Sequence, residues 1–162
     1  MSRRLRRQVG RQHVLRAMYE SLEAALDPGA RLTTEQMVEN LVSFGRLLAM
    51  RAWRPQPLQR LLASAERDGL VRAEPGELYR LTEQGASQAG RIVRNHRLWE
   101  LYLLKHADVG PAQVDREADA IEHVLDPELV AELEGMLSKR YRKTDVPPSP
   151  HQIEVASTTT AS

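Results

Sequence analysis

The chain of 162 residues contains no cysteine. That excludes disulfides, zinc ribbons and iron–sulfur clusters, and confines any metal site to nitrogen and oxygen ligands. Aromatic residues make up only 4%, too few for an all-β sandwich and suited to a helical protein built on leucine and alanine. No apolar run approaches the roughly 18 residues of a membrane span, and no apolar leader segment follows the N-terminal arginines. A soluble, cytoplasmic chain is therefore expected. Hydrophobic residues at 41% suffice for one ordinary core or two small ones.

Charge is balanced overall but not along the chain. Residues 1–80 hold 14 Lys+Arg against 9 Asp+Glu, and residues 81–162 hold 9 against 13. A basic first half suits a polyanionic partner, and an acidic second half suits a cation.

Five arginines, at positions 3, 4, 6, 7 and 11, mark residues 1–12 as a basic arm. It reads as a contact for nucleic acid or an anionic membrane surface, or as the solvated start of the first helix. Residues 13–26 carry Val14, Leu15, Met18, Leu22 and Leu26 at helical spacing, stopped by Asp27-Pro28-Gly29. Thr33 or Thr34 caps a second helix, and residues 40–50 read as helix without a clear boundary. Trp53-Arg54-Pro55-Gln56-Pro57 breaks the chain before an amphipathic helix over 58–67, with Gly69 as its left-handed cap. Next come a strand over 70–72, a tight turn at Glu74-Pro75-Gly76-Glu77 and a return strand over Leu78–Leu81, with Thr82 capping the following helix. That is the order of a winged helix-turn-helix, recognition helix before wing; the alternative is a helix–hairpin–helix used only for packing.

Residues 82–106 form a long helical stretch, apolar over more than one face, which implies more than one neighbour, such as the core and a dimer partner. Within it His96 and Glu100 stand one turn apart. A further helix over 112–125 places Asp115, Asp119, Glu122 and His123 at i, i+4, i+7 and i+8, along one stripe. Three carboxylates and an imidazole so stacked repel one another unless a cation sits among them. A divalent metal ion is one reading and a solvated acidic face the other. The tail over 141–162 is proline-rich and then polar, and is expected to be disordered.

In this order, "GLV", "YRLTEQG", "RNHRLWELYL" and "EADAIEHVLDPELV" resemble the DtxR/MntR family of iron- and manganese-dependent transcriptional repressors, over about residues 11 to 137. The resemblance implies a mainly α fold: a winged helix-turn-helix over 13–82, then an all-helical metal-binding and dimerisation domain over 83–140. It implies a homodimer on a double-stranded DNA operator. It implies a primary metal site of His13, Asp119, Glu122 and His123, and an ancillary site of His96, Glu100 and Asp115. Imidazole and carboxylate without sulfur suit Mn²⁺ or Fe²⁺, with Zn²⁺ and Co²⁺ also expected to bind in vitro. No nucleophile or base stands beside a vacant ligand position, so neither catalysis nor a small-molecule substrate is expected. Base readout falls to Arg54, Gln56, Gln59, Arg60 and Ser64, with Arg72 on the wing. Two features depart from the family. His13 stands where a carboxylate or thioether is common, and the stretch between Thr34 and Leu58 is about ten residues longer than usual. The second half is also similar to the C-terminal extension of some manganese/zinc/iron ABC-transporter permeases. That implies an alternative role as a cytoplasmic metal-sensing regulatory domain with weakened DNA binding.

Overall fold

A computed structural model describes residues 2–106, with side chains through Leu103, together with Ala131, Gly135, Val146 and Pro147. The elements in order are α1 (Arg3–Ala24), α2 (Thr34–Glu39), β1 (Val42–Ser43), α3 (Phe44–Met50), α4 (Pro55–Arg67), β2 (Val71–Glu74), β3 (Leu78–Leu81) and α5 (Glu83–His106). Two compact units divide between Ile92 and Val93, within α5.

The first unit is a winged helix. α1 begins earlier than the 13–26 pattern implies, because the Ser2 hydroxyl caps it by accepting from Leu5 N. The basic arm is thus the opening of this helix. Its second half buries Val14, Leu15, Met18 and Leu22, the four-residue repeat of a core face. α2 opens on a capping box: Thr33 and Gln36 each accept from the other's backbone N–H.

The helix expected over 40–50 is present from Phe44 to Met50, and only its start is corrected. Val42 and Ser43 are a strand, pairing antiparallel with Tyr79 and Leu78 of β3. Ser43 then caps α3, accepting from Arg46 N. β-branched Val42 before an N-cap serine was the overlooked signal. β1 completes a three-stranded sheet in the order β1-β3-β2, with β2 and β3 as the wing hairpin. The helix-turn-helix itself is α3, the turn 51–54 and α4.

The junction into α5 explains "YRLTEQG" residue by residue. Thr82 Oγ1 donates to Gly69 O at 2.6 Å and accepts from Gly85 N at 3.0 Å, while Thr82 N donates to Leu70 O. One side chain thereby ties the end of α4 to the start of α5. A Cβ at position 85 would lie 1.8 Å from Leu70 O, so only glycine permits the approach. Gly69 takes the left-handed conformation, φ +74°, as the sequence implies.

In the second unit the later turns of α5 are buried nearly all round. Val93, Leu98, Trp99 and Leu103 are buried, and so are Arg94, His96, Arg97 and Glu100. Burial on more than one face is what the sequence leads one to expect, and it is present within a single chain. Trp99 packs edge-on against Tyr102 at 5.3 Å.

Candidate metal centre and nucleic-acid interface

α4 sorts its residues cleanly. Leu58, Leu62 and Ala65 face the core, while Gln56, Arg60, Ala63 and Arg67 are exposed at i, i+4, i+7 and i+11, one outward stripe flanked by exposed Gln59. Arg54 stands exposed at the N-cap, and Pro55 opens the helix. Small and polar side chains with two cations on an outward face have the chemistry for hydrogen bonding base edges and phosphates. Ser64 does not join them: it is buried, a correction to its place among the readout residues. Its short side chain sits on the inner flank beside Ala65, where burial rather than contact explains a small residue.

The wing carries mixed charge. Arg72 is exposed and stands opposite Arg80 in the ladder. Arg80 is drawn to Glu74, 3.0 Å from its Oε1. Glu74 and Glu77 flank the tip, and Glu66 accepts from Ala73 N at its base. Burial, then Glu77, then Glu66 raise the Tyr79 phenol above its ordinary value, so it stays protonated beside these carboxylates.

Of the residues expected to hold metal, His96 and Glu100 are brought together. Nε2 of His96 lies 2.6 Å from Oε1 of Glu100, with both side chains almost wholly buried. An imidazole and a carboxylate meeting inside a unit, one turn apart on one helix, are one borderline and one hard donor, both buried. That donor chemistry fits a divalent cation. Nearby, Arg97 donates from Nη1 to the carbonyl of Pro147 at 3.1 Å, a contact fifty residues distant in sequence that no local pattern discloses.

His13 is placed differently. Its Nδ1 faces Nη1 of Arg51 at 3.4 Å, a long hydrogen bond. Arginine can only donate, so Nδ1 accepts, and a neutral imidazole then carries its proton on Nε2. Arg51 in turn sits over the Trp53 ring at 5.9 Å. A cation at His13 would compete with this guanidinium, which sequence reading passed over. Asp115, Asp119, Glu122 and His123 lie outside the described residues. Among the described residues no three histidine, aspartate or glutamate side chains converge, and no helix is long and apolar enough to cross a membrane.

A winged helix followed by a helix with a buried His/Glu pair defines a class, and comparison with known proteins gives that class its relatives. Residues 82–151 match the family described as iron dependent repressor, metal binding and dimerisation domain. The chain is 31% identical to the diphtheria toxin repressor of Corynebacterium glutamicum over 118 residues, 72% of this chain and 52% of that protein. It is 40% identical over 75 residues to a probable metal transport system membrane protein of Chlamydia trachomatis, 46% of this chain and 15% of that protein. Among solved structures, a manganese-dependent transcriptional repressor in complex with manganese aligns with TM-score 0.58 at 23% identity, covering 78% of this chain and 51% of that one. The manganese regulator SloR aligns with TM-score 0.56 at 19% identity, covering 78% and 53%. The chain is thus similar over residues 82–151 to the iron-dependent repressor metal-binding and dimerisation domain, and it shares the fold of the manganese-dependent repressors. It spans about half the length of its repressor relative and far less of the transport protein.

Proposed function

We propose that the chain is a metal-dependent DNA-binding transcriptional repressor, acting in the cytoplasm to control metal homeostasis and without enzymatic activity. The observation that carries the reading is a single one. The outward stripe Gln56, Arg60, Ala63 and Arg67 stands on a winged helix in the same chain as the buried His96–Glu100 pair. His96 and Glu100, with Asp115, would hold one ion, and His13, Asp119, Glu122 and His123 another. Mn²⁺ or Fe²⁺ supplies a positive charge that lets acidic and imidazole side chains from distant segments share a site.

A ligand on α1 of the winged unit and ligands beyond residue 110 would link metal occupancy to the winged unit's orientation. Two copies in a homodimer would then present two α4 helices to successive half-sites, and DNA affinity would rise with metal. The likeness to a metal transport membrane protein supports a second reading, a regulatory domain that senses metal beside a permease without reading an operator.

Selection of duplexes from a random-sequence pool, with and without Mn²⁺, separates the two. Repression predicts a palindrome enriched only with metal. No enrichment from a chain that binds Mn²⁺ in calorimetry would sink the first reading and favour the second.

A further inference from the structure

The opening two turns of α1 carry Arg3, Arg4, Arg6 and Arg7, all exposed. The first turn has no acidic residue, and none of the four arginines has an ion-pair partner among the described residues. Arg3 and Arg7 stand at i, i+4 and Arg4 and Arg7 at i, i+3, so like charges adjoin, at the helix end whose backbone dipole is already positive. Each such pairing disfavours the helix, and a polyanion laid along it would reverse the sign of every term.

Two contacts seat the turn that follows this segment against α4. Gly10 meets the Leu61 side chain so closely that a Cβ there would come within 2.6 Å of it, and Arg11 bonds Asp68 at 2.6 Å. Leu61 and Asp68 share one flank of α4, roughly 100° around the helix from the Gln56–Arg60–Arg67 stripe at 3.6 residues per turn. The arginine turns therefore precede, on the same helix, a contact with the flank of α4 next to its outward stripe. On the hairpin side, where a winged helix ordinarily grips backbone, Glu74 and Glu77 flank the tip and Arg80 is held by Glu74.

We propose that residues 3–7 of α1 are a second nucleic-acid contact element, gripping the phosphate backbone beside the groove that α4 enters, in place of an acidic wing tip. This rests on the DNA-binding reading above. A membrane surface fits less well, because Leu5 is the one large exposed apolar side chain in these turns, short of the broad apolar face an interfacial helix needs.

The test replaces all four arginines by glutamine, R3Q/R4Q/R6Q/R7Q, which keeps helix propensity while removing charge. Binding of duplex DNA is measured across a series of salt concentrations, with thermal melting as a check on the fold. The expected result is a plot of log affinity against log salt whose slope is shallower by about 2 to 4 in the variant, since each lost phosphate contact removes close to one unit. Equal slopes for the two proteins would overturn the proposal while leaving DNA binding by α4 intact. No duplex binding by the natural chain at low salt would remove both. Binding to phosphatidylglycerol vesicles that disappears in the variant, with DNA slopes unchanged, would reassign the arginines to a membrane.

Discussion

The two units use charge in opposite ways. Through Ile92, the chain keeps most of its arginines exposed: Arg3, Arg4, Arg6 and Arg7 on α1, and Arg54, Arg60 and Arg67 on α4. From Val93 onward, α5 instead draws Arg94, His96, Arg97 and Glu100 inward, each under a tenth exposed. A solvated cation costs little and waits for an external anion. Titratable side chains buried together repay their desolvation only with good geometry and further partners, so such a contact is weak as a stabiliser and informative as a sign of function. The first unit thus presents its charge outward, and the second keeps its charged and titratable side chains inside.

The largest effect should come from breaking the buried side of this contrast. His96→Ala leaves Glu100 buried without its imidazole, and should cost about 3–5 kcal/mol of stability and shrink the metal-induced rise in melting temperature to what the site of His13, Asp119, Glu122 and His123 supplies. Thermal melting with and without Mn²⁺ measures both, and an unchanged metal shift would remove His96 from the site. Next is Gly85→Ala, whose Cβ collides with the Leu70 carbonyl. We expect a loss of about 3 kcal/mol in chemical denaturation, at the upper end of overpacking costs. A loss below ~1 kcal/mol would show that α5 can shift away from the wing.

On the exposed side, Arg60→Ala should weaken DNA binding by about 1–3 kcal/mol and relax discrimination at one base position while leaving melting unchanged. Uniform weakening across sequences would mean that Arg60 touches phosphate only. The smallest effect tests a boundary case. Arg51→Ala removes the guanidinium that faces His13 Nδ1 and should raise Mn²⁺ affinity severalfold, with quenching of Trp53 altered by loss of the overlying cation. Unchanged affinity in calorimetry would mean that Arg51 does not compete for His13.

The same contrast governs what the sequence disclosed. In the winged unit the signals are local and strong: Thr33 with Gln36, Gly69, the Glu74–Glu77 turn, and Thr82 with Gly85 each mark a place where backbone geometry demands one residue type. There the hairpin, the body of α4 from Leu58 and the start of α5 were legible, although α4 begins at Pro55, inside the segment expected to break the chain. β1 was not, because two residues are too short for alternation to show, and only pairing with Tyr79 and Leu78 makes them a strand. Ser64 was misplaced because a polar side chain on an amphipathic helix reads as exposed, and burial depends on packing that the helix alone does not specify. In the second unit, helical spacing correctly paired His96 with Glu100. It gave no hint of Arg97 reaching Pro147 there, nor, in the first unit, of Arg51 reaching His13 across 38 residues, since contacts between distant segments leave no period in the sequence.

The claim that joins the two units is that a metal held by the second changes what the first does to DNA. Fluorescence anisotropy of one labelled duplex from the selected pool, titrated with the chain in Mn²⁺ and again after chelation, tests it most directly. The expected result is at least a tenfold weaker affinity without metal, about 1.4 kcal/mol of coupling. The same affinity in both conditions, from a chain that calorimetry shows to bind Mn²⁺, would contradict it.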